Sequence, residues 1–326
     1  YSTSGGFDYA WSPDSKWFTL EFIGNKHDPY SDIGLVSAQG NGEIINLTNS
    51  GYSSGSPSFA LDGNAILFTT ERYGMRAHAS WGSLDDAMLV FLNQDAYDKF
   101  SLSKEDYELY KEANSDRKKV AAKDSSKVKD VVVELKNIED RIVRLTPNSS
   151  NMGSTLISKD GKTLYYLAST ESGRNLWKMD LNKKETKLLH KVDAGWSSLE
   201  MDKEGKTLFI LNGKNMQKMN MASDDLKPIK YLAQVKLDLS AEREYMFDHV
   251  YKQQQKRFYN TNMHGVNWDA MTAAYRKFLP HIDNNYDFAE LLSEWLGELN
   301  VSHTGGRFYP DGQSEPTASL GLLFDW

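Results

Sequence analysis

The chain has 326 residues, of which 40% are hydrophobic and 25% charged, with a formal net charge of −7; that is an ordinary globular composition with room for two domains. The negative balance argues against a nucleic-acid partner, which needs a clustered positive surface. The absence of Cys excludes a disulfide framework and thiolate chemistry, and no apolar run approaches the ~18 residues of a membrane helix, so no membrane span is expected. The one dense basic stretch, Arg117-Lys118-Lys119 through Lys123, Lys127 and Lys129, is interleaved with Asp and Ser and reads as a solvated face.

The N-terminal Tyr-Ser-Thr-Ser-Gly-Gly has neither a charged nor an apolar leader region, so no signal peptide is visible, and the compartment, periplasmic or cytoplasmic, stays open. A strand pattern begins almost at once, and the sequence stops on the apolar Leu322-Leu323-Phe324-Asp325-Trp326. Both ends read as cuts through folded structure, and the chain is expected to be a fragment.

Four segments then share one pattern, a lead-in, a polar tight turn and a strand. They are Trp11-Ser12-Pro13-Asp14-Ser15-Lys16-Trp17-Phe18, Phe59-Ala60-Leu61-Asp62-Gly63-Asn64-Ala65-Ile66, Ile157-Ser158-Lys159-Asp160-Gly161-Lys162-Thr163-Leu164, and Met201-Asp202-Lys203-Glu204-Gly205-Lys206-Thr207-Leu208. The Asp-Gly and Glu-Gly pairs supply the positive φ of a hairpin turn, and alternation after them suits a half-buried strand. The acidic turn residue recurs at 14, 62, 160 and 204. Two of those steps match a propeller blade of roughly 40–50 residues and the middle one is about twice as long.

The long step predicts an insertion. From Trp81 to about Lys129 the alternation gives way to helical patterning, and Ser103-x-x-Asp106 resembles a capping box; the insertion is placed at about 79–130. Val131-Val132-Val133-Glu134-Leu135 is expected to re-enter as a strand, and Arg141 to Thr146 to close the blade. Closing strands repeat a theme in Ile44-Ile45-Asn46-Leu47-Thr48, Ile142-Val143-Arg144-Leu145-Thr146 and Thr186-Lys187-Leu188-Leu189-His190. Residues 1–233 are thus expected to be mainly β, a partial β-propeller of about four blades with further blades upstream. A β-sandwich with evenly spaced hairpins is the alternative.

After Tyr231 the character changes. Ser240 is the expected cap of a first helix, with Glu242 and Glu244 in its first turn and Met246, Phe247, Val250, Tyr251 and Phe258 on its buried side. Asn267 caps a second helix bearing Trp268, Met271, Tyr275, Phe278 and Leu279, stopped by Pro280. A third starts near Tyr286 with Phe288, Leu291, Leu292, Trp295, Leu296 and Leu299 on one stripe. These stripes read as core, and no cofactor is expected. Nor is a metal: His27, His78, His190, His249 and His281 are scattered, with no metal-ligand spacing.

Directly after the third helix stands Asn300-Val301-Ser302-His303-Thr304-Gly305-Gly306. A His following a rigid helix and preceding a Gly pair is placed to act as a general base, because its pKa lies near neutrality; a Ser-His dipeptide is common, however, and alone it reads more readily as a structural or surface His. His264, before Gly265 in a turn, reads as structural.

The stretch from Phe258 to Trp268, with Met263-His264-Gly265-Val266 at its centre, and the string Gly297-Glu298-Leu299-Asn300-Val301-Ser302-His303-Thr304 are together similar to the tricorn-type serine peptidases. The resemblance extends over essentially the whole chain. It implies a propeller followed by a helical subdomain, at 234–315, that begins a mixed α/β peptidase core, and then a PDZ-like domain starting at 316–326. It implies that His303 matches the catalytic general base and Ser302 the hydroxyl that orients or polarises its network. The nucleophilic Ser, the oxyanion-hole amides and the acidic member of the tetrad would lie in a PDZ and nucleophile-bearing region absent from these residues. The fragment alone is then expected to be an inactive part of a serine endopeptidase hydrolysing peptides or unfolded polypeptides, with the propeller as filter or docking surface and with homo-oligomerisation left open. The rival readings are a prolyl-oligopeptidase-like propeller hydrolase, which would need a Gly-x-Ser-x-Gly elbow, and a non-catalytic propeller scaffold.

Overall fold

A computed structural model describes residues 8–310 except 25–29, 41, 79–80, 115–128, 170–172, 194, 196 and 214. The chain divides between Tyr231 and Leu232 into two compact units. The first is built of four four-stranded antiparallel meanders, the blades of a β-propeller. Blade 1 holds β1 (Tyr9–Trp11), β2 (Trp17–Phe22), β3 (Asp32–Ser37) and β4 (Ile45–Asn46). Blade 2 holds β5 (Ser54–Ala60), β6 (Ala65–Thr70), β9 (Asp86–Phe91) and β10 (Ile142–Arg144), with a small hairpin of β7 (Arg76–His78) and β8 (Trp81–Ser83) between β6 and β9. Blade 3 runs through β11 (Asn151–Ile157), β12 (Thr163–Ser169), β13 (Arg174–Asp180) and β14 (Glu185–His190). Blade 4 runs through β15 (Ser197–Met201), β16 (Thr207–Asn212), β17 (Asn215–Asn220) and β18 (Leu226–Ile229).

The repeated turn has a local cause. In blade 1 the Ser12 hydroxyl bonds the Asp14 carboxylate and accepts Trp17 N–H at 2.9 Å, while Asp14 accepts Lys16 N–H at 3.1 Å. Blade 3 repeats this with Ser158, Asp160, Lys162 and Thr163. The side chains satisfy turn amides that have no ladder partner, and the register Trp11↔Phe18 and Ile157↔Leu164 results. Blade 2 has Ala60 where the Ser would stand, and its turn is instead a single 3-10 turn with Leu61 and Asp62 left-handed.

Strand periodicity assigns each side chain to one of three interblade cores. On β6, Ile66 and Phe68 join Ile33, Leu35 and Leu47 of the first blade, whereas Ala65 and Leu67 join Met152, Ile157 and Leu164 of the third. On β12, Leu164, Tyr166 and Ala168 face blade 2, and Tyr165 and Leu167 pack with Leu199, Leu208 and Ile210 of blade 4. Each such Leu or Ile contributes roughly 1.5–3 kcal/mol by leaving water.

Buried polar side chains on the third strands of blades 1 to 3 pin the loops that leave each blade. Asp32 accepts Asn46 Nδ2 (2.9 Å), Thr48 Oγ1 (2.8 Å) and Ser50 N–H (3.1 Å). Asp86, fully buried, accepts Thr146 Oγ1 (2.8 Å), Ser149 Oγ (2.7 Å) and Arg144 Nε (3.0 Å). Asn175 takes Val192 and Asp193 N–H at 3.1 and 3.3 Å.

The inserted stretch differs from the sequence expectation in two ways. Helices α1 (Gln94–Ser101) and α2 (Lys104–Ala113) form, capped by Asn93 and by Ser103 with Asp106. Yet Asp86–Phe91, inside the expected helical stretch, is strand β9 at the centre of blade 2. Every residue of β9 is buried, so its pattern is a continuous apolar run that periodicity cannot tell from a helix. Val131 to Leu135 is extended but belongs to no sheet. Its amides go elsewhere, Val131 N–H to Asp14 Oδ2 at 2.8 Å and Glu134 N–H to Leu92 O at 2.7 Å, while Val131 and Val133 pack on the core between blades 1 and 2. The buried Arg141 holds this return segment by donating to the carbonyls of Phe91, Glu134 and Lys136.

The second unit comprises α3 (Leu239–Arg257), α4 (Trp268–Arg276) and α5 (Asn285–Gly297). The cap of α3 is Asp238, whose carboxylate accepts Ala241 N–H at 3.0 Å, and Ser240 lies inside the helix; an Asp accepts charge-assisted bonds from the helix start better than a Ser. Asn267 caps α4 as expected and Asn284 caps α5. Each helix gives one ring to a stack, Trp295 lying 4.1 Å from Phe247 and 4.7 Å from Trp268 between ring centroids. The expected PDZ-like start at 316–326 lies outside the described residues.

Candidate active site

Helix α5 fixes the position of the turn at its C-terminal end. Leu291, Trp295, Leu296 and Leu299 are buried in the helical core, so the chain leaves the helix anchored on its apolar side. Leu299 and Asn300 N–H close on the carbonyls of Leu296 and Gly297 at 3.2 and 2.9 Å, and Asn300 is left-handed at φ 47°, which ends the helix. Val301 packs back on the core, and Thr304 Oγ1 donates to Val301 O at 3.0 Å, drawing the intervening residues into a turn.

Ser302 and His303 are the exposed apex of that turn. They are brought together: His303 Nδ1 lies 3.1 Å from Ser302 Oγ, in hydrogen-bond contact. His303 is left-handed at φ 64°, a conformation that His tolerates better than a β-branched residue would. Downstream the segment is clamped back onto α5. Ser293 Oγ accepts Gly306 N–H and donates to Gly306 O, both at 2.9 Å. Only Gly fits there, since a Cβ on residue 306 would stand 2.9 Å from both Ala289 O and Leu292 Cβ.

Two contacts around this turn have no counterpart in the sequence expectations. His264, from the turn between α3 and α4, bonds Leu299 O through Nδ1 at 2.9 Å, and its Nε2 meets the Tyr259 hydroxyl. Tyr275 of α4 donates to Glu298 Oε1 at 2.8 Å, and burial together with that carboxylate pushes its phenol up to about 12. The Ser293 clamp has no signal in sequence either, because a Ser inside an amphipathic helix is unremarkable until its partner thirteen residues on is known. Among the described residues, no group of three or more His, Asp and Glu could hold a metal ion, and no helix is long and apolar enough to cross a membrane.

The family model described as the tricorn protease C1 domain matches residues 239–297, the three helices that lead into this turn. A tricorn-like protease C-terminal subunit of Sulfurisphaera tokodaii is 25% identical over 97% of this chain and 36% of its own length. The chain is a tricorn-type protease homologue. A tricorn protease homolog of Saccharolobus solfataricus is 22% identical over 97% of this chain and 29% of its own length. The chain therefore spans about a third of the length of these curated tricorn relatives. In fold it is similar to the crystal structure of the tricorn protease, with a TM-score of 0.62, 13% identity and coverage of 92% of this chain and 30% of that one.

Proposed function

We propose that this homologue is part of a serine peptidase that hydrolyses peptides or unfolded polypeptides, with His303 as its general base and Ser302 as the residue that orients it. The observation that supports the reading is the exposed Ser302–His303 contact, held on a turn anchored to α5 at both ends. If Nδ1–H donates to Ser302 Oγ, the proton is fixed on that nitrogen and Nε2 is left unprotonated. Nε2 then takes the proton from a nucleophilic hydroxyl as its oxygen attacks the scissile carbonyl, and returns it to the leaving amine. In this reading the nucleophile, the oxyanion donors and the acidic partner are supplied by sequence outside these 326 residues, so the chain by itself does not acylate.

The helical unit, taken as 234–315, would be the first part of the peptidase core, with a PDZ-like domain starting at 316–326. The blades would serve as a docking surface or filter for extended polypeptide. The test is His303→Ala in the full-length protein. Turnover of an unfolded substrate should fall by roughly 10³-fold or more, with substrate binding nearly unchanged, and Ser302→Ala should cost less. Wild-type turnover in His303→Ala would overturn the assignment.

A further inference from the structure

We infer that His264 is the positioning residue for His303, acting through the carbonyl of Leu299. The inference rests on the reading of His303 as the base. Its ground is the way the turn between α3 and α4 is spent. Met263, His264 and Gly265 are all left-handed, at φ 48°, 55° and 82°, a run that costs energy for the two residues with a Cβ and persists only where neighbours over-determine it. Here the neighbours are the ring contacts of His264, edge-on to Phe258 and Tyr259 at 5.1 and 5.3 Å, and its two polar bonds.

Those bonds fix the tautomer. A carbonyl oxygen only accepts, so the bond to Leu299 O places the hydrogen on Nδ1. Nε2 then holds a lone pair and accepts from the Tyr259 hydroxyl. With both ring nitrogens engaged, His264 has no free site for a substrate proton, which separates it from His303.

Leu299 follows Glu298, the C-terminal cap of α5, so its carbonyl lies beyond the helix's own hydrogen-bond ladder and must find a donor elsewhere. Here it receives its donor from a side chain 35 residues earlier. The turn bearing His303 is thus held by two polar anchors, His264 on Leu299 before it and Ser293 on Gly306 after it. Loosening the first leaves the fully buried Leu299 side chain in place while freeing the backbone that leads into Val301 and Ser302.

The test compares His264→Gly with His264→Asn. Both residues accept the left-handed backbone, but only Asn keeps an N–H near the Nδ1 position. In the full-length protein, His264→Gly should lower kcat by about 10- to 100-fold with KM within about twofold, the size of effect a small misplacement produces. His264→Asn should recover most of that loss, and Tyr259→Phe should cost a few fold. In the 326-residue chain, the ring nitrogen resonances of His303 should move in His264→Gly and return in His264→Asn.

Wild-type kcat and unmoved His303 resonances in His264→Gly would overturn the inference while leaving the base assignment standing. Equal defects in Gly and Asn would mark a purely structural role and overturn it as well. If His264→Gly does not fold, Tyr259→Phe decides: unchanged kcat and resonances refute the positioning role, and a loss with shifted resonances supports it. If His303→Ala proves fully active, the base assignment falls, and the His303 resonances still show whether His264 sets the turn.

Discussion

The blades and the helical unit bury their side chains by opposite strategies. A blade strand such as β6 or β12 divides its residues between two cores, one with each neighbouring blade, so no single side chain is common to a whole sheet stack. The helical unit gathers α3, α4 and α5 on one aromatic stack of Phe247, Trp295 and Trp268. The lesson is one of redundancy. Stability in repeated elements is close to a sum of neighbour terms, whereas a single shared stack makes every helix depend on one residue.

The sharpest way to break this comparison is Trp295→Ala. Removing the central ring should cost about 3–5 kcal/mol, and segment-resolved hydrogen exchange should show that loss confined to 239–299. An equal loss of protection across β6 and β12 would refute the contrast. Next comes Asp86→Ala, which leaves Arg144, Thr146 and Ser149 without their shared acceptor. A cost of roughly 3 kcal/mol is expected, read as lower denaturant resistance of the blades, with protection in β9 and β10 lost first and α3–α5 unaffected. A milder test is Asn284→Ala, which removes the acceptor of Asp287 N–H at the start of α5. It should cost about 1 kcal/mol, visible as faster exchange in the first turn of α5.

The same contrast explains what is legible in the sequence. Four polar turns recur, so internal comparison exposes the blades, and blades 1 and 3 share one Ser/Asp hydrogen-bond pattern. Strand β9 escapes such a reading because burial on both faces erases the alternation by which a strand is recognised. The return segment at Val131–Leu135 has the β-branched composition of a strand, but its amides are met by Asp14 and Leu92 O and not by a sheet neighbour. Those partners lie far off in sequence, and no local pattern encodes them. In the helical unit, cap and stripe locate the helices to within a few residues, with Asp238 in place of Ser240 the one shifted cap. Ser302 and His303 are singled out by the string Gly297 to Thr304 that resembles the tricorn-type peptidases, since a Ser-His pair after a helix does not by itself mark a site. The contacts that hold them, from His264 and Ser293, join residues whose meeting depends on how three helices pack.

A smaller effect concerns two neighbours at one blade junction. Asp86 is met by three side-chain donors. Asp85 pairs with Ser150 only through the backbone, Asp85 N–H donating to Ser150 O at 2.8 Å and Ser150 N–H to Asp85 O at 3.0 Å. Burial pushes the Asp85 carboxyl up to about 6, with Glu71 and Asp86 adding repulsion and Arg174 offsetting part of it. The folded chain therefore holds a proton that the unfolded chain releases near the ordinary value of 3.8. Stability from this group is fully present below about pH 4, falls as pH rises to about 6, and is flat above that. An Asn at this position keeps the backbone bridge and cannot ionise. Asp85→Asn should then match wild type at pH 4 and melt higher at pH 7.5, by on the order of 1–3 °C. Because other carboxylates titrate over the same range, the quantity to follow is the difference in Tm between variant and wild type at each pH. A difference that stays at zero from pH 4 to 7.5, or that favours wild type at pH 7.5, would show that Asp85 is as well served as Asp86.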